Sequence, residues 1–138
     1  GTDNDHVAGT TGDTITGFVS GTDKIYFPTA LLSNGTASQT LKSIANNGTI
    51  ANNDVFVEIT TALANGQMGT AITAMNSTTS SDVAQTEKIV VFVKDASDGY
   101  LYLVEQASTA NTIAAADTTL IAKLVGVTDI ADGDLVFA

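Results

Sequence analysis

Two unbroken apolar runs, Ile89-Val90-Val91-Phe92-Val93 and Tyr100-Leu101-Tyr102-Leu103-Val104, constrain this chain more than anything else in it. Only Lys94 and the turn formers Asp95-Ala96-Ser97-Asp98-Gly99 separate them. Short runs rich in β-branched and aromatic residues read as strands, and so short a connection pairs them antiparallel. A β-hairpin is expected here. An isolated hairpin is marginal in water, so further strands must cover it. Residues 120–125 and 135–137 supply two, with 129–134 turning between them. Residues 55–59 alternate weakly and supply another.

The chain has 138 residues, 5 Lys plus Arg against 15 Asp plus Glu, and a formal net charge of -10. Every basic residue is Lys, and there is no Cys. That rules out a disulfide framework, a thiol nucleophile and a zinc-thiolate centre. The acidic balance argues against nucleic acid or anionic lipid as a partner. No apolar run approaches the roughly 18 residues of a membrane span, so none is expected. With 43% apolar and 14% charged residues the chain is not disordered by composition. The Thr, Val and Ile content favours strands, and Asn, Asp and Gly favour the turns between them.

Residues 1–27 have a different texture from the rest. Short beats, Asp5-His6-Val7, Asp13-Thr14-Ile15, Phe18-Val19 and Ile25-Tyr26-Phe27, are divided by Gly- and Asp-containing turns. Strands of this length cannot bury a face alone, which points to stacked coils or the end of a solenoid. Pro28 closes the segment, dividing the chain into 1–27 and 28–138. Beyond it, Leu41, Ile44 and Ala45 show i, i+3, i+4 spacing before Gly48, predicting a short helix over 38–47. Met68, Ile72 and Met75 predict a second over 67–76, followed by a polar loop over 76–82.

Catalysis finds little support. His6 is the single residue titrating near neutrality, and it reads as a strand-edge side chain. Asp129 with Asp132 is a carboxylate pair in a turn that favours Asp anyway. No phosphate-binding or dinucleotide fingerprint occurs, so the chain is expected not to be an enzyme. Tyr100 and Tyr102 fall on one strand face, read as half-buried core rather than a sugar platform. Asp95 and Asp98 read as turn formers. Asn34, Asn47 and Asn76 each open a glycosylation sequon of the kind an Asn/Thr-rich composition produces by chance.

Calcium fits the acids better. Gly1-Thr2-Asp3-Asn4-Asp5-His6-Val7 places acids two apart in a turn that leads into an apolar residue, and Gly9-Thr10-Thr11-Gly12-Asp13-Thr14-Ile15 repeats the theme. Turn carbonyls and Asp carboxylates together offer the oxygens that a hard cation takes.

These segments resemble the calcium-binding RTX repeat G-G-x-G-x-D-x-U-x. Asp3 stands at a glycine position, Asp5 and Asp13 at the ligand acid, and Val7 and Ile15 at the apolar one. Residues 12–27, Gly12-Asp13-Thr14-Ile15-Thr16-Gly17-Phe18-Val19-Ser20-Gly21-Thr22-Asp23-Lys24-Ile25-Tyr26-Phe27, are similar to the segment that closes such arrays in type I-secreted proteins, with Phe27 where Leu is usual. Ile121-Ala122-Lys123-Leu124-Val125-Gly126-Val127 and Asp134-Leu135-Val136-Phe137-Ala138 resemble the last strands of domains that follow the arrays. Residues 29–88 match no pattern.

The resemblance implies a mainly β fold: the end of a parallel β-roll over 1–27, then a compact antiparallel β unit with one or two short helices over 28–138. It implies a non-catalytic C-terminal module of a secreted bacterial protein, acting at the cell surface. Such a module would cap a calcium-binding array, carry the signal read by an ABC-type exporter, and support surface-layer self-association or adhesion. Calcium would be held by Asp3, Asp5, Asp13 and Asp23. Two readings of the repeats stay open, ligating coils or a terminal coil that only caps, and Asp23 also suits a plain hairpin turn. The parent could equally be a secreted lipase or metalloprotease. A stand-alone carbohydrate-binding module is the third alternative.

Overall fold

The computed structural model describes residues 12–28, 38–45, 49–50, 54–64, 80–81, 88–105, 113 and 115–137. Among them the chain forms β1 (Asp13–Thr16), β2 (Ile25–Phe27), β3 (Ser38–Ile44), β4 (Thr49–Ile50), β5 (Asp54–Ile59), β6 (Ser80–Ser81), β7 (Lys88–Lys94), β8 (Gly99–Glu105), β9 (Thr118–Val125) and β10 (Leu135–Phe137). A single 3-10 turn covers Ala115–Asp117, and no α-helix occurs among the described residues. The fold is mainly β, as composition and patterning led one to expect.

The hairpin forms as its sequence dictates, β7 antiparallel to β8 with Val91 opposite Tyr102. It lies inside a six-stranded sheet ordered β1-β9-β8-β7-β5-β3. That sheet is mixed, which corrects the antiparallel expectation. β8 pairs antiparallel with both β7 and β9, whereas β5 runs parallel to β7, β3 to β5, and β1 to β9. Parallel neighbours need a crossover of a dozen or more residues, and the chain between β5 and β7 is long enough to provide it. The unbroken apolar run of β7, and that of β5 apart from Glu58, fit this placement, because inner strands of such a sheet are covered on both faces.

The helix expected over 38–47 is instead β3. Three residues separate Leu41 from Ile44, which puts them on one face of a helix but on opposite faces of a strand. Both faces of this sheet are buried. Leu41 lies opposite Phe56 and packs with the first core cluster, while Ile44 lies opposite Ile59 in the second. The spacing that mimicked a helix thus serves two cores. The helix expected over 67–76 lies outside the described residues.

One core face gathers Phe56, Val90, Phe92, Leu101, Leu124 and Ile15 from the large sheet against Ile25, Phe27, Leu135 and Phe137 of a second sheet, with Val127 and Ile130 beside them. Phe56 stacks on Phe137 with ring centroids 4.7 Å apart, and Phe27 lies 5.8 Å from both. The other face gathers Val57, Ile59, Ile89, Val91, Val93, Tyr102 and Val104 with Ile50 and Ile113. Residues before and after Pro28 therefore share one core.

The second sheet is two strands, β2 and β10, again parallel. Two strand–turn–strand units, residues 13–27 and 118–137, thus lie side by side in the same direction: β1 along β9, β2 along β10.

Candidate functional site

At one end of the large sheet lie the carboxyl ends of β1, β3, β5, β7 and β9 and the turn between β7 and β8. The segment 126–134, leaving β9, crosses this end over the first core face. Gly99 marks its closest approach. A Cβ at Gly99 would meet the Phe92 ring at 2.4 Å and the Val127 carbonyl oxygen at 2.7 Å, so only glycine lets the segment lie this low. Further on, Asp132 Oδ1 accepts a hydrogen bond from the Leu41 backbone N–H at 2.8 Å, satisfying an edge amide midway along β3, a strand at the sheet edge.

The same segment is tied to the turn after β1. Asp134 is 2% exposed. Its Oδ2 accepts from the Ser20 hydroxyl at 2.8 Å and the Ala131 N–H at 2.7 Å, and its Oδ1 from the Gly21 N–H at 2.9 Å. Lys24 Nζ donates to the Gly133 carbonyl, and the Ile25 N–H to that of Asp134. A buried carboxylate needs several donors to offset its lost hydration, and this one finds them in both coils.

The β7–β8 turn carries a second network. Asp95 Oδ1 accepts from the N–H groups of Ser97 and Asp98, and Oδ2 from the Tyr100 hydroxyl. Asp98 takes the Gly126 N–H at 2.8 Å and pairs with Lys123 Nζ at 2.8 Å. Hydrogen bonding to Lys123, then to the Gly126 N–H, holds the Asp98 carboxyl below its ordinary range, and Asp98 in turn raises the Lys123 ammonium. Burial, then the bond to Asp95, raises the Tyr100 hydroxyl. Tyr102 lies in the second core cluster, where burial pushes it up to about 12. The two rings therefore do not form an exposed platform.

Glu58 on β5 is the least satisfied group at this end. It is 4% exposed; Oε2 accepts from the Ser43 hydroxyl at 3.0 Å, and Oε1 is buried without a hydrogen-bond partner. Burial raises its pKa above the ordinary carboxyl range; Ser43 and Lys94 oppose that shift, and the Asp129 carboxyl beside it adds to it.

Of the four proposed calcium ligands, Asp3 and Asp5 lie outside the described residues. Asp13 opens β1, whereas Asp23 closes the turn beyond it and accepts the Val19 N–H at 2.8 Å through Oδ2. The strand between them spans about 10 Å, so the structure does not bring these two carboxylates together. No three acidic or histidine side chains converge on a common point among the described residues. Asp129 and Asp132, paired in the sequence, face different partners.

Sequence reasoning missed Glu58, Ser43 and Asp134 as site residues. Glu58 carried a signal, a lone acid inside the apolar run Val55-Phe56-Val57-Glu58-Ile59. No helix among the described residues is long and apolar enough to cross a membrane. Comparison with protein-family models, with curated proteins and with solved structures gave no match to this chain.

Proposed function

We propose that this chain is a non-catalytic end module of a secreted bacterial surface protein, closing a parallel stack of calcium-binding coils. One observation carries this reading: the strand–turn–strand unit at residues 13–27 lies in parallel register on the unit at 118–137, with Asp134 joining the two turns. Stacked parallel coils are what a β-roll is made of, and the parallel pairing of these two units, one from each end of the chain, supports that reading. Among the described residues β1 has β9 as its one neighbour and β2 has β10. The outer edges of both thus face the same way, where a preceding coil would add one strand to each sheet.

On this reading the module binds calcium through Asp3, Asp5 and Asp13 in the amino-terminal bends, with Asp23 shaping the turn that follows. Its carboxyl end carries the exporter's signal, and its surface supports lattice assembly or adhesion. Metal that binds only the folded form stabilises it by mass action.

Capping is tested by placing five consensus RTX repeats ahead of Gly1 and titrating calcium while following β-structure by circular dichroism. The repeats should fold at a several-fold lower calcium concentration with residues 1–138 attached than without them. Equal midpoints would refute the capping role.

A further inference from the structure

The Glu58 carboxylate has an oxygen buried in the protein with no hydrogen-bond partner, and the Asp129 carboxyl lies beside Glu58. We propose that Glu58 and Asp129 form a seat for a hard divalent cation, which joins β5 to the 126–134 segment. This site is separate from the amino-terminal bends and does not depend on the capping role.

Three observations converge on it. Glu58 Oε1 lacks a hydrogen-bond partner, although an unpaired buried charge is among the most expensive features a fold can hold. Asp129 stands within hydrogen-bonding reach, and when both groups are ionised the pair offers four acceptor oxygens and no donor. Either a proton shared by the pair or a cation from solvent can relieve this, and a cation leaves both groups ionised. Lys94 acts on Glu58 through space without pairing to it, and the Ser43 hydroxyl is spent on Oε2.

The chemistry selects a hard cation. The donors are carboxylate oxygens, without imidazole or thiolate, and calcium or magnesium prefers that set. Asp129 is exposed while Glu58 is buried, so an ion can enter from solvent and keep several waters. Two carboxylates with water place the affinity with weak extracellular sites, about 0.1–1 mM for calcium. Bound there, the ion fastens the segment that also bonds the edge of β3 and meets the amino-terminal turn.

The test is calorimetric titration of calcium chloride, with thermal unfolding in calcium and in EDTA. It uses the whole chain, E58Q, D129N, and a variant with Asn at positions 3, 5, 13 and 23. In E58Q or D129N an amide N–H replaces the missing donor, so both should fold without metal. The expected result is retention of one weak site in the four-Asn variant and its loss, at least about tenfold in affinity, in E58Q and D129N. Asp129 is exposed, so D129N remains informative should E58Q fold poorly. Binding unchanged in D129N would overturn the proposal. So would a chain that ignores calcium but melts higher at pH 5 than at pH 7.5, with that gain absent in E58Q; a shared proton would then be the occupant. Loss of all binding in the four-Asn variant would overturn this site and leave the amino-terminal sites standing.

Discussion

Replacing Asp134 by alanine removes a buried side chain that hydrogen-bonds to both units. Its carboxylate accepts three hydrogen bonds, from Ser20, Gly21 and Ala131, at 2.7 to 2.9 Å. A hydrogen bond to a charged group contributes about 1.5–3 kcal/mol net, and orphaned buried N–H groups add to the loss. The three bonds share two oxygens, so the effects do not sum fully; D134A should destabilise the chain by about 3–5 kcal/mol. A domain of this size has about 5–15 kcal/mol in all, so the variant should stand close to unfolding. D134N separates charge and acceptor count from packing. Whichever way the amide turns, its NH2 confronts a backbone N–H, because Gly21 bonds one oxygen and Ala131 the other. It should lose about 2 kcal/mol, and S20A, which removes one hydroxyl, about 1 kcal/mol. Urea unfolding followed by circular dichroism gives the three values. Hydrogen exchange at the Gly21 and Ala131 amides should accelerate in D134A and D134N. A D134A chain within 1 kcal/mol of the parent, with both amides still protected, would refute the clamp.

Two further outcomes follow from the packing. In G99A the new methyl meets the Phe92 ring and the Val127 carbonyl inside van der Waals distance, so the 126–134 segment must lift; a loss of about 2–3 kcal/mol in urea unfolding is expected, and a neutral G99A would contradict the close approach. Tyr102, pushed up to about 12 by burial, ionises in the unfolded chain near 10, so the unfolded state releases its proton first. Stability should therefore fall as pH rises from 10 to 12, by at most about 2.7 kcal/mol from this group. Ultraviolet titration should show one phenol ionising last, and Y102F should flatten that part of the stability profile.

What could be read in the sequence was what local physics decides. The hairpin was legible because two apolar runs and a turn-rich connection agree with each other at every position. Strand content was legible because Val, Ile and Thr recur between Gly, Asn and Asp. β3 was misread because Leu41 and Ile44 have a helical separation, and nothing in the local sequence shows that both sheet faces are covered. Parallel pairing was not legible between β3, β5 and β7, since direction is fixed by the crossover rather than by the strands. Calcium ligands read from repeat spacing gave Asp13 and Asp23 one chemistry, but a turn consumes an Asp as readily as a metal does, and the Val19 N–H takes Asp23. Glu58 was passed over because an acid inside a strand reads as its solvent side until the opposite layer is known.

The order in which this fold can be completed follows from its connectivity. β1 and β2 find their described strand partners in β9 and β10, and the clamp joins Gly21 to Asp134 across 113 residues. Loop closure over such a distance must come before any of that contact energy is returned. The hairpin and β9 are local, so the surface on which residues 13–27 dock can exist before those residues arrive. On the proposed reading, in which the exporter's signal lies at the carboxyl end, this order would be met if that end emerged first, because β7 to β10 would then precede β1 and β2. On the proposed reading the unit at residues 13–27 then settles on that edge and offers its own outer edges to a preceding coil. An end cap for a coil stack has the same need: it must fold first and present a template, so that each coil added upstream finds a neighbour already in place.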